Sequence, residues 1–419
     1  MNPQAHTRRS FLKLAATAGM AAPFILPCSA WGANDRVNAA VIGTGNRGGD
    51  LLNALLRHGE ARVIAVCDVD RLRREGAASK VRDEYGAGAA CAAYNDFREL
   101  LERRDIDAVA IGTPDHTHAP IVIACLKAGK DVYCEKPLTL TIAEGRAIAE
   151  TARRYSRVLQ CGSQRRSDGA IRRVCELVIN GRIGQLKTIE VGVGSRPTQP
   201  RPWAPEPVPE GFDYDLWLGP APWEPYTKDR CHYNFRFLRA YSGGEMTNTG
   251  AHFLDLAQWG LGTDTTGPIE VEGKGVYHQT GLWDVFYKLR IEYKYASGTT
   301  LMCSSDWSGV KFIGTEGWIN MAHQGQPAAM LRSGIRPGEI HLHESHGDHM
   351  QDFVWAIRTR GPTSAPAETG HRTATVCHMG NIALTLERKL RWDPEKEEFR
   401  GDAQANLMRS RPCRAPWRL

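Results

Sequence analysis

The sequence predicts an α/β protein whose first domain is a doubly wound parallel sheet. Two observations support this: short apolar runs in the first half end at turn residues, and segments with helical periodicity separate them. In the second half, between Glu270 and Ser308, apolar and polar residues alternate with period two, which indicates antiparallel strands. A length of 419 residues is enough for two domains with separate cores.

The composition is that of an ordinary globular protein. Hydrophobic residues make up 42% and charged residues 24%, which excludes disordered, collagen-like and coiled-coil chains. Of the net charge of +6, three units lie near the N-terminus, and the rest of the chain has 50 basic and 47 acidic residues. This near balance predicts that nucleic acid is not a partner. The eleven cysteines are irregularly spaced and form no C-x-x-C motif, so neither a disulfide framework nor a zinc ribbon is indicated.

The N-terminal residues have the pattern of an export signal. Thr7–Lys13 contains Arg8 and Arg9, and a weakly apolar run follows that is shorter than the about 20 residues needed to span a membrane. This pattern resembles a twin-arginine signal peptide, expected over residues 1–33. We therefore expect the twin-arginine export machinery as a partner and a periplasmic location, with retention at the membrane by an uncleaved signal as the alternative.

The next segment predicts a dinucleotide-binding loop. A buried strand over Val37–Ile42 leads into the motif G-T-G-N-R-G at Gly43–Gly48, a helical pattern of leucines follows, and a second strand ends at Asp68. This order of strand, glycine loop, helix, strand and acid is typical of Rossmann domains. The pyrophosphate is expected at the helix N-terminus, where free N–H groups and the helix dipole favour an anion.

Individual residues of this loop have predicted roles. Gly43 permits the tight turn, Gly45 lets the backbone approach the pyrophosphate, and Gly48 lets the helix pack closely on the strand. Asp68 is placed to accept the ribose hydroxyls, and its charge repels a 2′-phosphate, so NAD is favoured over NADP. Three nearby arginines keep NADP open as the alternative: Arg71, Arg73 and Arg74.

Two further motifs follow predicted strands, and ligands bind at such carboxyl ends in open α/β sheets. Asp107–Gly112 leads into Thr113–His118 (T-P-D-H-T-H), with a helix expected from about Pro120 to Gly129. Asp131–Cys134 leads into Glu135-Lys136-Pro137. We interpret His116 and His118 as residues beside the nicotinamide ribose rather than as metal ligands.

These motifs together resemble the Gfo/Idh/MocA family, named after glucose–fructose oxidoreductase and inositol dehydrogenase. Gly243-Gly244 followed by Gly250-Ala251-His252-x-x-Asp255 extends the match into the second half. The resemblance implies a Rossmann domain over residues 34–158 and a substrate and oligomerisation domain over 159–395, built on an open, mostly antiparallel sheet. Residues 396–419 would form a tail strapped onto the fold. A homo-oligomer, a dimer or tetramer, is also implied.

The motifs and the resemblance give one set of expected cofactor contacts. The predicted cofactor-binding residues are Gly43, Gly45, Asn46, Arg47, Gly48, Asp68, Thr113, Pro114, His118, Glu135, Lys136 and Gln164.

The segment around His252 predicts the acid–base chemistry. Asn248, His252 and Asp255 are spaced i, i+4 and i+7, so a helix would place them on one face. Removal of a hydride from a CH–OH carbon needs an acceptor for the hydroxyl proton, and a neutral histidine with a pKa near 6.5 suits this. The resemblance assigns catalytic roles to Lys136 and His252. Asn248 stands where many members have aspartate; its amide can bond substrate but cannot hold a proton.

The expected function is an NAD-dependent oxidoreductase with tightly bound NAD, acting on a secondary ring hydroxyl of a sugar, glycoside or cyclitol, for example C3 of a glucoside. The first alternative is an NAD-dependent glycoside hydrolase that works by transient oxidation and elimination. The second is a non-catalytic NAD-binding protein.

Two other patterns are possible sites. Four histidines, His341, His343, His346 and His349, fit no zinc motif, so no metal is expected and we interpret them as surface or substrate-rim residues. An ordered arm between Arg196 and Tyr226 contains three tryptophans that are either sugar platforms or loop anchors: Trp203, Trp217 and Trp223.

Overall fold

Six short apolar strands form the first sheet, in the order β3-β2-β1-β4-β5-β6, with every pair parallel. The computed structural model describes residues 36–86, 88–195 and 199–418, so the predicted signal and the start of the arm lie outside the described residues. The strands are β1 Val37–Ile42, β2 Ala61–Cys67, β3 Ala92–Tyr94, β4 Ala108–Ile111, β5 Asp131–Cys134 and β6 Leu159–Cys161.

Five helices connect these strands and cover the sheet, which confirms the doubly wound fold. They are α1 Asn46–Arg57, α2 Arg71–Tyr85, α3 Phe97–Leu101, α4 Asp115–Lys127 and α5 Ile142–Arg154. The strand order reverses between β1 and β4, which opens a crevice at their carboxyl ends. Helix α4 begins earlier than the predicted Pro120, because Pro114 occupies the N-cap position and the first turn includes His116 and His118.

The predicted boundary between residues 158 and 159 is too early. Leu159–Cys161 pairs with β5 and forms an edge strand of the first sheet. A helix from the other end of the chain, α9 at His349–Thr359, also belongs to this part of the structure, because Met350 and Phe353 pack into the core under β1 and β2. Residues Val37–Leu419 form a single compact unit.

The second sheet has nine strands in the order β13-β12-β11-β7-β10-β9-β8-β14-β15. Only the β7–β10 pair is parallel, which confirms a mostly antiparallel sheet among the described residues. The strands are β7 Leu186–Val193, β8 Glu270–Tyr277, β9 Phe286–Lys294, β10 Thr300–Ser304, β11 Ser308–Gly314, β12 Trp318–Asn320, β13 Gly325–Gln326, β14 Leu390–Asp393 and β15 Glu398–Phe399.

Three helices pack on one face of this sheet. They are α6 Gly169–Ile179, α8 Thr249–Leu261 and α10 Ala367–Leu386; the short α7 Tyr214–Leu218 and α11 Ala403–Leu407 lie in the arm and the tail. Val174, Leu254 and Val376 bring one apolar side chain from each long helix into a common core with the sheet. Each helix of the described residues is too short or too polar to span a bilayer.

The three tryptophans of the arm lie in different environments. Trp217 is buried and contacts Tyr214 and Tyr241 in an aromatic cluster. Trp203 and Trp223 remain exposed, at 38% and 64% of their surface. The anchoring interpretation therefore fits Trp217.

The close packing of β1, α1 and β4 generates the first prediction. A Cβ on Gly48 would overlap the carbonyl oxygen of Gly43, which cannot move without breaking the loop. Gly48→Ala should lower the free energy of unfolding by about 1–3 kcal/mol or more. The matched Gly49→Ala, whose Cβ would meet its nearest atom, the oxygen of Thr44, at 3.8 Å, should be neutral or stabilise the helix by up to about 1 kcal/mol. Denaturant unfolding measures both, and equal stability of the two variants would contradict this packing.

Candidate active site

A cavity of about 530 Å³ lies along the carboxyl ends of the first sheet. It extends from residues that follow β3 to residues that follow β5, and segments of the second half cover it. Most of the predicted site residues line it: Gly43, Gly45, Asn46, Arg47, Asp68, Thr113, Pro114, Glu135, Lys136, Gln164 and His252. Gly48, His118 and Asn248 do not.

The glycine loop has the geometry that a close backbone approach requires. Gly43 has φ +78°, a conformation that favours glycine, and its Cβ would lie 2.8 Å from the backbone nitrogen of Thr113. A Cβ on Gly45 would come close only to the flexible guanidinium of Arg73 among the described residues, and both residues line the cavity. Gly48 lies behind the loop, where packing and not ligand contact needs a glycine.

Asp68 is held at the end of β2 by hydrogen bonds from the glycine loop and from its own loop. Its Oδ2 accepts from the backbone nitrogen of Thr44 at 2.7 Å, and its Oδ1 accepts from the backbone nitrogen of Asp70 at 2.9 Å. Burial raises the pKa of this carboxyl, and these hydrogen bonds and the charge of Arg73 oppose the rise. Asp68 and Arg73 both line the cavity. The carboxylate that favours NAD and a guanidinium that could favour NADP are therefore close together.

A polar network joins three predicted cofactor contacts. The Oε1 of Glu135 accepts from Arg47 Nε at 2.8 Å and from Gln164 Nε2 at 2.7 Å. Gly162 makes room for this carboxylate, since a Cβ there would lie 2.8 Å from it. The network therefore ties the helix after the glycine loop to the segments that follow β5 and β6.

Lys136 reaches across the cavity to the residue that precedes α8. Its Nζ donates to the backbone oxygen of Asn248 at 2.9 Å and to Asn248 Oδ1 at 3.1 Å. The Nδ2 of Asn248 in turn donates to both carboxylate oxygens of Glu245 at 3.3 Å. Burial lowers the pKa of Lys136, and the charges of Glu135 and Asp115 only partly oppose this.

His252 lines the same end of the cavity but is a weaker base than predicted. Burial, followed by the charges of Lys136 and Arg165, lowers its pKa to about 3 instead of the expected value near 6.5. Its Nδ1 is buried and has no hydrogen-bond partner among the described residues. The imidazole is therefore neutral at physiological pH and holds a proton poorly.

Of the three residues predicted to share a helix face, Asn248, His252 and Asp255, only His252 lines the cavity. Asn248 is the N-cap residue of α8, and Asp255 faces the interior instead of the cavity. Its Oδ2 accepts from Arg166 Nε at 2.8 Å, and its Oδ1 accepts from Thr373 Oγ1 at 2.9 Å. Asp255 is a structural residue in a buried ion pair.

The prediction that His118 contacts the cofactor is also wrong in this geometry. His118 is buried, with Nδ1 2.8 Å from the oxygen of Pro137 and Nε2 2.9 Å from the oxygen of Thr113. It links the two loops that follow β4 and β5, and so positions Lys136. His116 is likewise buried, with its Nε2 2.9 Å from the oxygen of Trp217. Neither ring lines the cavity.

The four clustered histidines have three different environments. His341 is exposed, whereas His349 is buried, 2.6 Å from Ser167 Oγ and 2.9 Å from the oxygen of Cys161, which corrects its surface assignment. His343 and His346 both approach Asp352 Oδ1, at 3.2 and 3.4 Å. The ligand atoms of these three side chains all lie within 4.8 Å of one another.

Several cavity residues were not predicted from the sequence. The turn His232–Phe237 and Trp417 contribute to the lining of the cavity without belonging to a recognisable motif. Gly112 faces Gly48 so closely that a Cβ on it would lie 2.7 Å from the Gly48 Cα. The position of Gly112, directly after a buried strand, is a sequence feature that indicates such a close approach. The other residues reach the cavity through tertiary contacts.

Two family models match the chain, and the first extends past the predicted boundary at residue 158. "Oxidoreductase family, NAD-binding Rossmann fold" matches residues 37–163, and "Oxidoreductase family, C-terminal alpha/beta domain" matches residues 199–419, more than half of the chain. The chain belongs to the Gfo/Idh/MocA oxidoreductase family. Its first sheet is thus an NAD-binding Rossmann domain.

Curated relatives of this Gfo/Idh/MocA protein include inositol 2-dehydrogenase of Rubrobacter xylanophilus, 36% identical over 155 residues, which is 36% of this chain and 42% of the relative. Inositol 2-dehydrogenase 2 of Saccharopolyspora erythraea is 33% identical over 233 residues, 54% of this chain and 55% of the relative. The matches thus span about half the length of these relatives. The solved structure of the WlbA dehydrogenase from Bordetella pertussis has a TM-score of 0.63 at 15% identity, covering 85% of this chain and 99% of that one.

The position of Asp68 generates the second prediction. Because a carboxylate at this position is expected to bind the ribose hydroxyls and to repel a 2′-phosphate, Asp68→Ala should weaken NAD binding about tenfold and improve NADP binding. Titration calorimetry with both cofactors measures the change, and Asp70→Ala, which removes the neighbouring N-cap carboxylate, controls for loosening of α2. Tighter binding of NADP than of NAD by the unmodified protein would contradict the role of Asp68.

Proposed function

We propose that the protein is an NAD-dependent oxidoreductase that oxidises or reduces a secondary ring hydroxyl of a sugar, glycoside or cyclitol. The observation that carries this proposal is the meeting of Lys136 and His252 at one end of the dinucleotide cavity. A buried lysine with a lowered pKa and a neutral imidazole are the groups that a reacting CH–OH carbon needs beside it.

NAD, when bound, would supply the hydride acceptor. The chain's own residues handle the proton. Neutral Lys136 accepts the hydroxyl proton, and its ammonium then stabilises the remaining negative charge on oxygen. The amide of Asn248 holds Nζ in place, at 3.1 Å from its Oδ1. Because the pKa of His252 is about 3, its part is to hydrogen-bond the substrate hydroxyl rather than to store the proton.

The substrate class is supported by the relatives and by the lining of the site. The matched relatives include inositol 2-dehydrogenases, and the WlbA structure contains NADH and UDP-GlcNAcA. Arg236 and Tyr233 line this cavity, and Arg236 is near enough to Lys136 to affect its pKa. Such a polar and aromatic lining suits a ring with several hydroxyl groups.

A second candidate is an NAD-dependent glycoside hydrolase that oxidises a ring hydroxyl transiently and eliminates the leaving group. A glycosyl hydrolase family 109 protein of Stenotrophomonas maltophilia is 36% identical over 150 residues, 34% of this chain and 32% of that protein. Release of nitrophenol from a chromogenic glycoside without net formation of NADH distinguishes this candidate.

A non-catalytic NAD-binding role is the weaker alternative, because Lys136 and His252 are both present in the cavity.

The proton-handling pair generates the third prediction. Lys136→Ala and His252→Ala should each lower kcat about 100-fold or more on a carbohydrate panel monitored by NADH absorbance. The double variant should be little worse than the poorer single variant, since residues that act as a unit are not additive. His349→Ala, a buried histidine that does not line this cavity, controls for loss of packing.

The pH profile tests the same assignment. Because neutral Lys136 is the reactive form, kcat/KM should rise with pH and level off above a pKa that lies below the ordinary 10.5. His252, with a pKa of about 3, should add no inflection between about pH 5 and 8. Near-normal turnover in either single variant, or a bell-shaped profile centred near pH 6.5, would contradict the proposed roles.

We further propose export by the twin-arginine route, with NAD loaded before export and kept through many turnovers. The motif at Thr7–Lys13 supports the route, and an export compartment without a steady NAD supply would require a retained cofactor.

A homo-oligomer is part of the proposal. The large hydrophobic side chains of Val276 and Trp307 remain exposed at the second sheet, where a second copy of the chain could cover them.

The fourth prediction joins export to the cofactor. Protein recovered from the periplasm should carry close to one NAD per chain through gel filtration. The double variant Arg8→Lys, Arg9→Lys should stay in the cytoplasm, folded and loaded with NAD, while the control Arg57→Lys should be exported normally. Exported protein that is free of NAD and active only with added NAD would overturn the retention.

A further inference from the structure

The C-terminal tail contributes an aromatic wall to the dinucleotide cavity. Trp417 lines the cavity together with Phe97, Asn95 and Asp96, although it lies more than 300 residues away from them in sequence. Its ring is stacked beside that of Phe97, with centroids 6.2 Å apart and planes at 24°. The indole is only half-buried, so part of its surface faces the space that a ligand would fill.

The position in the sheet assigns this wall to one end of the cofactor. Phe97 follows β3, the edge strand, and Asp68 follows its neighbour β2. Lys136 follows β5, four strand spacings away from β3, or about 19 Å. Since Asp68 is the residue expected to bind the adenosine ribose, the wall of Phe97 and Trp417 lies beyond it, at the adenine end.

Trp417 is held in this place by a polar anchor in the tail. The backbone nitrogen of Arg414 donates to the oxygen of Pro220 at 2.9 Å, and its side chain donates to the oxygens of Gly219, at 3.1 Å, and Asp215, at 2.9 Å. The nitrogen of Trp417 then donates to the oxygen of Arg414 at 3.0 Å, which closes a turn. These bonds fix the indole over the end of α7.

We propose that Trp417 binds the adenine base and that the tail, anchored by Arg414, slows release of the dinucleotide. An indole face is a platform for a base, and stacking of this kind is a main source of affinity for nucleobases. The guanidinium of Arg98, 5.7 Å from the centroid of the indole, adds a cation beside the same ring. The inference rests on the NAD site of the proposed function and names the residues that retain the cofactor there.

Competition of ADP-ribose with NAD on the intact protein tests the inference without any turnover. Trp417→Ala should weaken the Kd for ADP-ribose about tenfold or more, and Trp417→Phe should restore most of the affinity because it keeps an aromatic face. The control Trp223→Ala removes an indole that is 64% exposed and lies outside this cavity, and it should keep the unmodified Kd. Thermal unfolding measured on each variant verifies that the fold is retained.

A second variant acts through the anchor alone. Arg414 is a positioning residue, and Arg414→Ala should raise the dissociation rate of NAD about tenfold in stopped-flow displacement while the indole itself is unchanged. If Trp417→Ala and Arg414→Ala both fold and both keep the Kd and dissociation rate of the unmodified protein within twofold, the inference is overturned. That result leaves the proposed function standing, whereas failure of the unmodified protein to bind ADP-ribose would remove the NAD site itself.

Discussion

A buried ion pair fixes the two halves of the site relative to each other. Arg166, in the turn after β6, is 2% exposed and donates from Nε to Asp255 on α8 at 2.8 Å and from both Nη atoms to Asp264 at 2.8 Å. Asp255 lies three residues after His252, so the position of His252 over the Rossmann sheet depends on this contact. A buried pair of this kind is worth most when every donor is satisfied, and loss of one partner costs about 3–5 kcal/mol.

Burial also determines the protonation of the two proposed catalytic side chains, Lys136 and His252. Removal from water disfavours the charged forms of Lys136 and His252 and lowers both pKa values. Asn248 fits this environment better than the aspartate of many relatives would. A carboxylate at hydrogen-bond distance from Nζ would stabilise the ammonium and raise the pKa of Lys136, whereas an amide holds the lysine without doing so. The neutral form of Lys136 thereby remains accessible as a proton acceptor.

The parts of the site that the sequence predicts are those governed by local rules. Three of these parts come directly after a strand in the sequence: the glycine loop, Asp68 and Glu135-Lys136. Parallel strands bring their carboxyl ends to one edge of the sheet, so these parts meet there. Helical spacing cannot show that Asp255 pairs with Arg166 in the interior while His252, on the same helix, lines the cavity. His118 was misplaced for the same reason: its two carbonyl partners come from separate loops. Trp417 could not be predicted, since only tertiary contacts bring the tail to β3.

The order in which the cavity is completed has a consequence for the proposed export route. The Gly43–Gly48 loop is near the start of the described chain, and Trp417 is almost at its end. The turn His232–Phe237 that covers the cavity lies between them in sequence, so a chain still being synthesised lacks part of the dinucleotide site. NAD binding then stabilises only the complete fold, by an amount that grows with the logarithm of cofactor concentration over Kd. A site that closes last is suited to a protein that must fold and load its cofactor before it leaves the cytoplasm.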